Sequence, residues 1–190
     1  MGAIEPAEAP NGSSTMPDMA TARATGDVAV RAAQQDDLDV VHALHVDAVL
    51  HSTAIWRDEP LPRTWFDAWL VERAAGGFPV LVAEVEGATA GYATYGPWHQ
   101  NPGYRHTVED SVYVRPEFHG RGVASRLMTA LVAHAREDGR HVMLADIAAE
   151  NAASIRLHER LGFERMAVLP EVGRKFDRWL DLVIMRLPLV

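Results

Sequence analysis

The chain has 190 residues, 48% of them hydrophobic, which suits one domain of ordinary size with a sizeable core. Eighteen Lys plus Arg against 26 Asp plus Glu leave a formal charge of −8 with no basic block, so neither nucleic acid nor an anionic membrane is an expected partner. There is no cysteine, which excludes disulfide scaffolds, thiolate metal sites and cysteine nucleophiles.

Residues 1–27 carry neither a basic start nor an apolar core and do not resemble a secretory signal. No apolar run elsewhere reaches the roughly 18 residues of a membrane helix. A cytoplasmic location is the default expectation. The same residues are rich in Ala, Pro, Gly, Ser and Thr, bury too little to offset their ordering entropy, and read as a disordered tail. Residues 28–190 remain as the folded domain.

Val28 to Ala32 alternates as a strand, and Leu38, Val41, Leu44, His45, Ala48 and Val49 recur at helical spacing over Asp36 to Leu50. His42 and His45 lie three apart, with His51 following. A metal reading needs a third ligand of suitable geometry, so a partly buried helix face is preferred and no metal is expected. From His51 to Pro62 the chain is too polar and proline-broken for a regular element, yet Trp56 and Arg57 stand side by side. An aromatic beside a cation suits recognition of a small carboxylate or zwitterion; the other reading is a loop whose Trp plugs the core.

Thr64 to Ala74 reads as a second helix, ended by Gly76-Gly77, and Phe78 to Glu86 with Thr89 to Tyr95 as a hairpin that Gly96-Pro97-Trp98 breaks. The next strand runs from Thr107 to Arg115. Along it Val108, Val112 and Val114 share one face, and Thr107, Glu109, Ser111 and Tyr113 the other. If buried, Glu109 would have a raised pKa and be poised as a base near neutrality; otherwise it is an exposed edge charge.

After Pro116 comes a glycine-rich bend, His119-Gly120-Arg121-Gly122-Val123-Ala124, opening a helix over Gly120 to Asp138. Its glycines permit tight turning, and the helix start adds unpaired N–H donors, together a cradle for phosphate. His141 to Ile147 is a strand, and Asn151 to Leu161 a helix with Asn151 as N-cap and Gly162 just past its end. Asn151, Ser154, Ile155 and His158 lie along one face of it. Phe163 to Leu169 and Arg178 to Leu187 read as two final strands separated by Glu171 to Asp177. The element order is strand, two helices, three strands, helix, strand, helix and two strands.

With that element order and the glycine bend after the fourth strand, the chain from Val28 onward resembles the GNAT superfamily of acyl-CoA-dependent N-acetyltransferases, which implies an α/β (α+β) fold class: a mixed, mostly antiparallel sheet of about seven strands flanked by about four helices. The family's pyrophosphate loop, Gln/Arg-x-x-Gly-x-Gly/Ala, corresponds to His119 through Ala124, with His119 as the departure. Asn151 through Phe163 looks like the second cofactor segment, with His158 where many relatives have Tyr. Three further stretches narrow the resemblance to the phosphinothricin and methionine sulfone N-acetyltransferase branch: His51 to Pro60, Gly96 to Trp98 with Tyr104 to Val114, and Val172 to Asp181.

The resemblance implies acetyl transfer from acetyl-CoA to the amino group of a small amino-acid-like acceptor. It implies Glu109 as general base and His158 as a proton donor to the departing thiolate or an orienter of the sulfur. Val112, Tyr113 and Val114 would line the pantetheine arm, and Asn151 and Ser154 would bond it. His119, Gly120, Arg121, Gly122, Val123, Ala124 and Ser125 would hold the pyrophosphate. Trp56, Arg57, Thr94, Trp98, Tyr104 and Arg105 are the acceptor candidates, and a homodimer is implied. His119 would be a simple substitute for Gln or would make cofactor binding sensitive to pH. The rival readings are acetylation of a polyamine or a protein N-terminus, a CoA-binding sensor without turnover, and a nucleotide-binding module, which lacks its Gly-Lys-Ser/Thr here.

Overall fold

The fold is that of a computed structural model, described over residues 27–190. Apart from Asp27, the tail expectation falls outside these residues. Seven strands, β1 (Val28–Ala32), β2 (Val80–Val85), β3 (Ala88–Pro97), β4 (Thr107–Val114), β5 (Val142–Ala148), β6 (Glu164–Lys175) and β7 (Arg178–Pro188), form one sheet in the order β1-β2-β3-β4-β5-β7-β6. Helices α1 (Leu38–His51) and α2 (Trp65–Ala75) follow β1, α3 (Val123–Glu137) joins β4 to β5, and α4 (Ala152–Arg160) joins β5 to β7 by way of β6.

Each face of the sheet buries its own core. Leu127, Met128 and Leu131 of α3 are fully buried against Val108, Ala145 and Met185, because α3 repeats its apolar residues at helical spacing. Truncating Leu131 to Ala there would cost about 2–5 kcal/mol. On the other face Leu38, Val41, Phe66 and Trp69 pack on Val82 and Tyr92. Adjacent residues of β4 therefore serve opposite cores, as the alternation in the sequence implies.

One pairing organises the site. All neighbouring strands run antiparallel except β4 and β5, which are parallel and register only over Thr107↔Val142, Val108↔Met143 and Glu109↔Leu144. Beyond Glu109 the two strands splay apart, and a notch opens in the middle of the sheet.

Two boundaries depart from the sequence reading. Gly96 and Pro97 do not break β3, which stays paired with β4 through Pro97↔Val108. Pro tolerates this at the strand end, where no further ladder donor is required. The segment from Glu171 to Asp177 is not a separator, since β6 continues to Lys175 after an irregularity between Leu169 and Gly173. Glu171 takes a positive φ of 52° there, its N–H held 2.8 Å from Asp181 Oδ1. The true turn is Phe176-Asp177, both at positive φ, 50° and 56°, the backbone that matches the twist of a two-residue hairpin.

Candidate active site

The notch between β4 and β5 is lined by Glu109, Asp110, Ser111, Val112 and Tyr113 from β4 and by Ala145 to Ala148 from β5, with Asn151, Ser154 and His158 closing it from the α4 side and Ala54 at its rim. Six residues read from the sequence thus meet in one cavity: Glu109, Val112, Tyr113, Asn151, Ser154 and His158. Asn151 caps α4 as expected, its side chain accepting from the Ser154 N–H at 3.1 Å.

Glu109 points to the face of α1 and α2. Burial, followed by repulsion from Asp146 and Asp110, pushes its carboxyl up to about 7, with the Arg73 guanidinium working in the opposite sense. Arg73 reaches over from α2 and donates to the Tyr95 carbonyl at 2.8 Å. It fits only because residue 96 is glycine, where a Cβ would stand 1.9 Å from Arg73 Nη1. Asp146 lies on β5 two residues past Leu144, hence on the Glu109 side of the sheet.

The next residue, Asp110, points the other way and meets His158 deep in the opposite core. Asp110 Oδ2 lies 3.1 Å from His158 Nε2, and the two residues keep only 8% and 1% of their exposure. His158 Nδ1 lies 2.8 Å from the Ser154 carbonyl, which can only accept, so the ring carries a proton on Nδ1. Burial opposes charge on this ring, but the hydrogen bond and charge of Asp110 and the Ser154 carbonyl outweigh it, and its pKa is raised.

Along the splayed edge of β4, the Arg115 N–H bonds Ala90 on the β3 side, so strand alternation turns the backbone groups of Val112 and Val114 toward the notch. His119 donates from Nε2 to the Val114 carbonyl at 2.9 Å, tying the glycine bend to the strand end. Gly120 and Gly122 take φ of +75° and +80°, and no atom lies within 4 Å of where a Cβ would stand on either. Gly122 caps α3, whose first internal bond is Arg126 N–H to Gly122 O at 3.0 Å, so the N–H groups of Val123, Ala124 and Ser125 have no partner within the helix. Arg121 is drawn aside to Glu86 at 2.5 Å. An open glycine bend, a positive helix end and an unpaired strand edge fit the diphosphate and amide-bearing arm of coenzyme A.

The acceptor candidates are dispersed. Trp56 lies against Gly173, where a Cβ would come within 2.0 Å of the indole, and its Nε1 donates to the Thr53 carbonyl at 2.8 Å. Lys175, almost fully buried, donates to Ala48 O at 3.4 Å, to Ser52 O at 2.7 Å and to Ile55 O. Glu150 grips Arg178 at 2.6 and 2.7 Å and Thr53 at 2.8 Å. The β6–β7 hairpin therefore clasps the loop that carries Ala54 to the rim. Arg57 is exposed, Thr94 is buried with its hydroxyl on the Pro79 carbonyl at 2.7 Å, and Arg105 donates to Pro102 O at 3.0 Å. Trp98 and Tyr104 pack edge to face at 5.1 Å, and neither lines the notch. The first two histidines of α1 pin the following loop, His42 donating to Leu61 O and His45 accepting from Leu61 N–H, both at 3.1 Å.

Sequence reasoning missed Asp110, Asp146 and Arg73. Asp110 had a signal: a carboxylate on the strand face that otherwise carries Val108, Val112 and Val114. Asp146 and Arg73 gain their place only from the register of β5 and the approach of α2.

A split parallel pair with a phosphate cradle beyond it defines an acyl-CoA transferase architecture. Residues 40–163 match the Acetyltransferase (GNAT) family, and the chain belongs to that family of N-acetyltransferases. It is 48% identical over 161 residues to the L-methionine sulfoximine/L-methionine sulfone acetyltransferase of Pseudomonas aeruginosa, covering 84% of this chain and 94% of that protein. It is 36% identical over 161 residues to the phosphinothricin N-acetyltransferase of Alcaligenes faecalis, covering 84% and 82%. The structure of yncA from Salmonella typhimurium with its cofactor acetyl-CoA superposes with a TM-score of 0.84 at 45% identity, covering 86% of this chain and 94% of that one.

Proposed function

We propose that this protein transfers the acetyl group of acetyl-CoA to the amino group of a small amino-acid-like acceptor of the methionine sulfone, methionine sulfoximine or phosphinothricin type. The observation that carries the reading is Glu109, a half-buried carboxylate with a pKa near that of a neutral-pH base, set at the point where β4 and β5 part. Bound acetyl-CoA supplies an acetyl group activated as a thioester. The amides of Val123 to Ser125 hold the diphosphate, the Val112 and Val114 backbone edge and Asn151 hold the pantetheine arm, and Glu109 takes a proton from the acceptor's ammonium. Both ring nitrogens of His158 are engaged, so its part is to hold Asp110 at the notch rather than to protonate the departing thiolate. The loop with Trp56 and Arg57, clasped by β6 and β7, borders the acceptor side.

Two further readings belong with this one. A homodimer is supported by the sheet edge at β6, where Met166, Val168 and Val172 are 55%, 55% and 53% exposed, with Phe176 and Trp179 of the hairpin at 53% and 60%. A second copy of the same surface would cover them. The proposed location is the cytoplasm, the compartment of an acetyl-CoA-dependent enzyme; among the described residues no helix is long and apolar enough to cross a membrane. The function is tested by thiol release from acetyl-CoA with an amine panel.

A further inference from the structure

Asp110 Oδ1 is a buried side-chain oxygen with no hydrogen-bond donor among the described residues. Its sister Oδ2 is occupied by His158 Nε2, and the other ring nitrogen is fixed on Ser154 O. The pair can hold its shared proton on Nε2 or on Oδ2. In both arrangements Oδ1 remains an acceptor and nothing else. Leaving such an atom unmatched in a buried site costs the desolvation of a carboxylate oxygen, and native proteins rarely leave one so.

We propose that Asp110 Oδ1 is a substrate-binding atom that accepts an N–H donor from a molecule bound in the notch, and that His158 is the positioning residue that holds it there. Two bound molecules carry such donors beside this strand: acetyl-CoA, through a pantetheine amide, and the acceptor, through its amine. The unpaired edge of β4 and the cavity lined by both Asp110 and Glu109 bring either within the same space. The inference rests on the proposed acetyl transfer for the acceptor arm alone, because the acetyl-CoA arm is read by binding without turnover.

The test compares wild type, Asp110→Ala and Asp110→Asn by calorimetric titration with acetyl-CoA and by the KM for methionine sulfone. In Asp110→Ala one of the two affinities falls by about tenfold to a hundredfold, the value of a hydrogen bond to a charged group, while the other changes by less than about twofold. A loss confined to acetyl-CoA identifies the pantetheine amide as donor, and a loss confined to methionine sulfone identifies the amine. Asp110→Asn is expected to recover most of the loss, because its amide N–H can face His158 Nε2 and leave Oδ1 in the notch. Unchanged affinities, or equal losses of both with a fall in Tm, overturn the proposal. Should Asp110→Ala not fold, the wild type is followed by NMR at the His158 ring while acetyl-CoA and then methionine sulfone are added. A donor arriving at Oδ1 shifts that ring; a ring signal indifferent to both ligands also overturns it. Wild type that binds acetyl-CoA but acetylates no amine would refute the proposed function and leave the acetyl-CoA arm standing.

Discussion

Consecutive residues of β4 divide the chemistry because a strand turns alternate side chains to opposite faces. Glu109, which the proposed function sets toward the acceptor, is partly desolvated, and Asp110 meets a histidine in the core. Glu109→Gln is expected to lower kcat by about 10²-fold or more with little change in acetyl-CoA affinity. In the wild type, kcat/KM should fall on the acid side with a midpoint at about 7 in rate against pH. The same carboxyl has a stability consequence. Its folded pKa of about 7 lies above the ordinary 4.5, so its contribution to stability is full below the lower value and is lost as pH rises through the upper one. Thermal melts of Glu109→Gln should therefore show a raised Tm at about pH 8.5 and no gain near pH 4.5. On its strand face alone Glu109 reads equally as a buried base or an exposed edge charge, and only the family resemblance favours the first. The pairing of Asp110 with His158 was not legible in the sequence, because it depends on α4 bringing that ring within 3.1 Å of the carboxylate.

Among the elements, the glycine bend and the β6–β7 hairpin are the parts that the proposed function sets at the two ends of the reaction. Gly122→Ala forces a side chain to φ of +80° in otherwise open space, so roughly 1 kcal/mol of stability should be lost with acetyl-CoA binding largely kept, whereas Gly122→Glu should abolish binding by placing charge and bulk in the cradle. Calorimetry on the two variants separates strain from occlusion. Gly173→Ala drives a methyl into the Trp56 indole, and Lys175→Met leaves three carbonyls without their ammonium. Both should raise the acceptor KM by several-fold and leave acetyl-CoA affinity intact. The bend was readable because glycine spacing is a local signal. The clasp was not, since it joins Ser52 and Ile55 to Lys175 across more than a hundred residues of chain, and the polar run before Phe176 concealed a strand whose pairing partner lies beyond its turn.

For the whole molecule, the succession of strands and helices along the chain was legible in the sequence pattern, but the order of strands in the sheet and the splay of β4 from β5 are properties of the assembled sheet. In the proposed function the splay makes the glycine bend and Glu109 two parts of one channel. The exposed apolar edge at β6 carries the assembly expectation: light scattering should give a dimer, and Val168→Lys with Trp179→Asp should give a folded monomer. In the proposed reaction the channel ends at an amino-acid amine. Thiol release from acetyl-CoA, followed with and without methionine sulfone, methionine sulfoximine and phosphinothricin, tests it most directly. Stimulation by at least one of the three, lost in Glu109→Gln, is the expected result; saturable acetyl-CoA binding with no stimulation by any of them would contradict it.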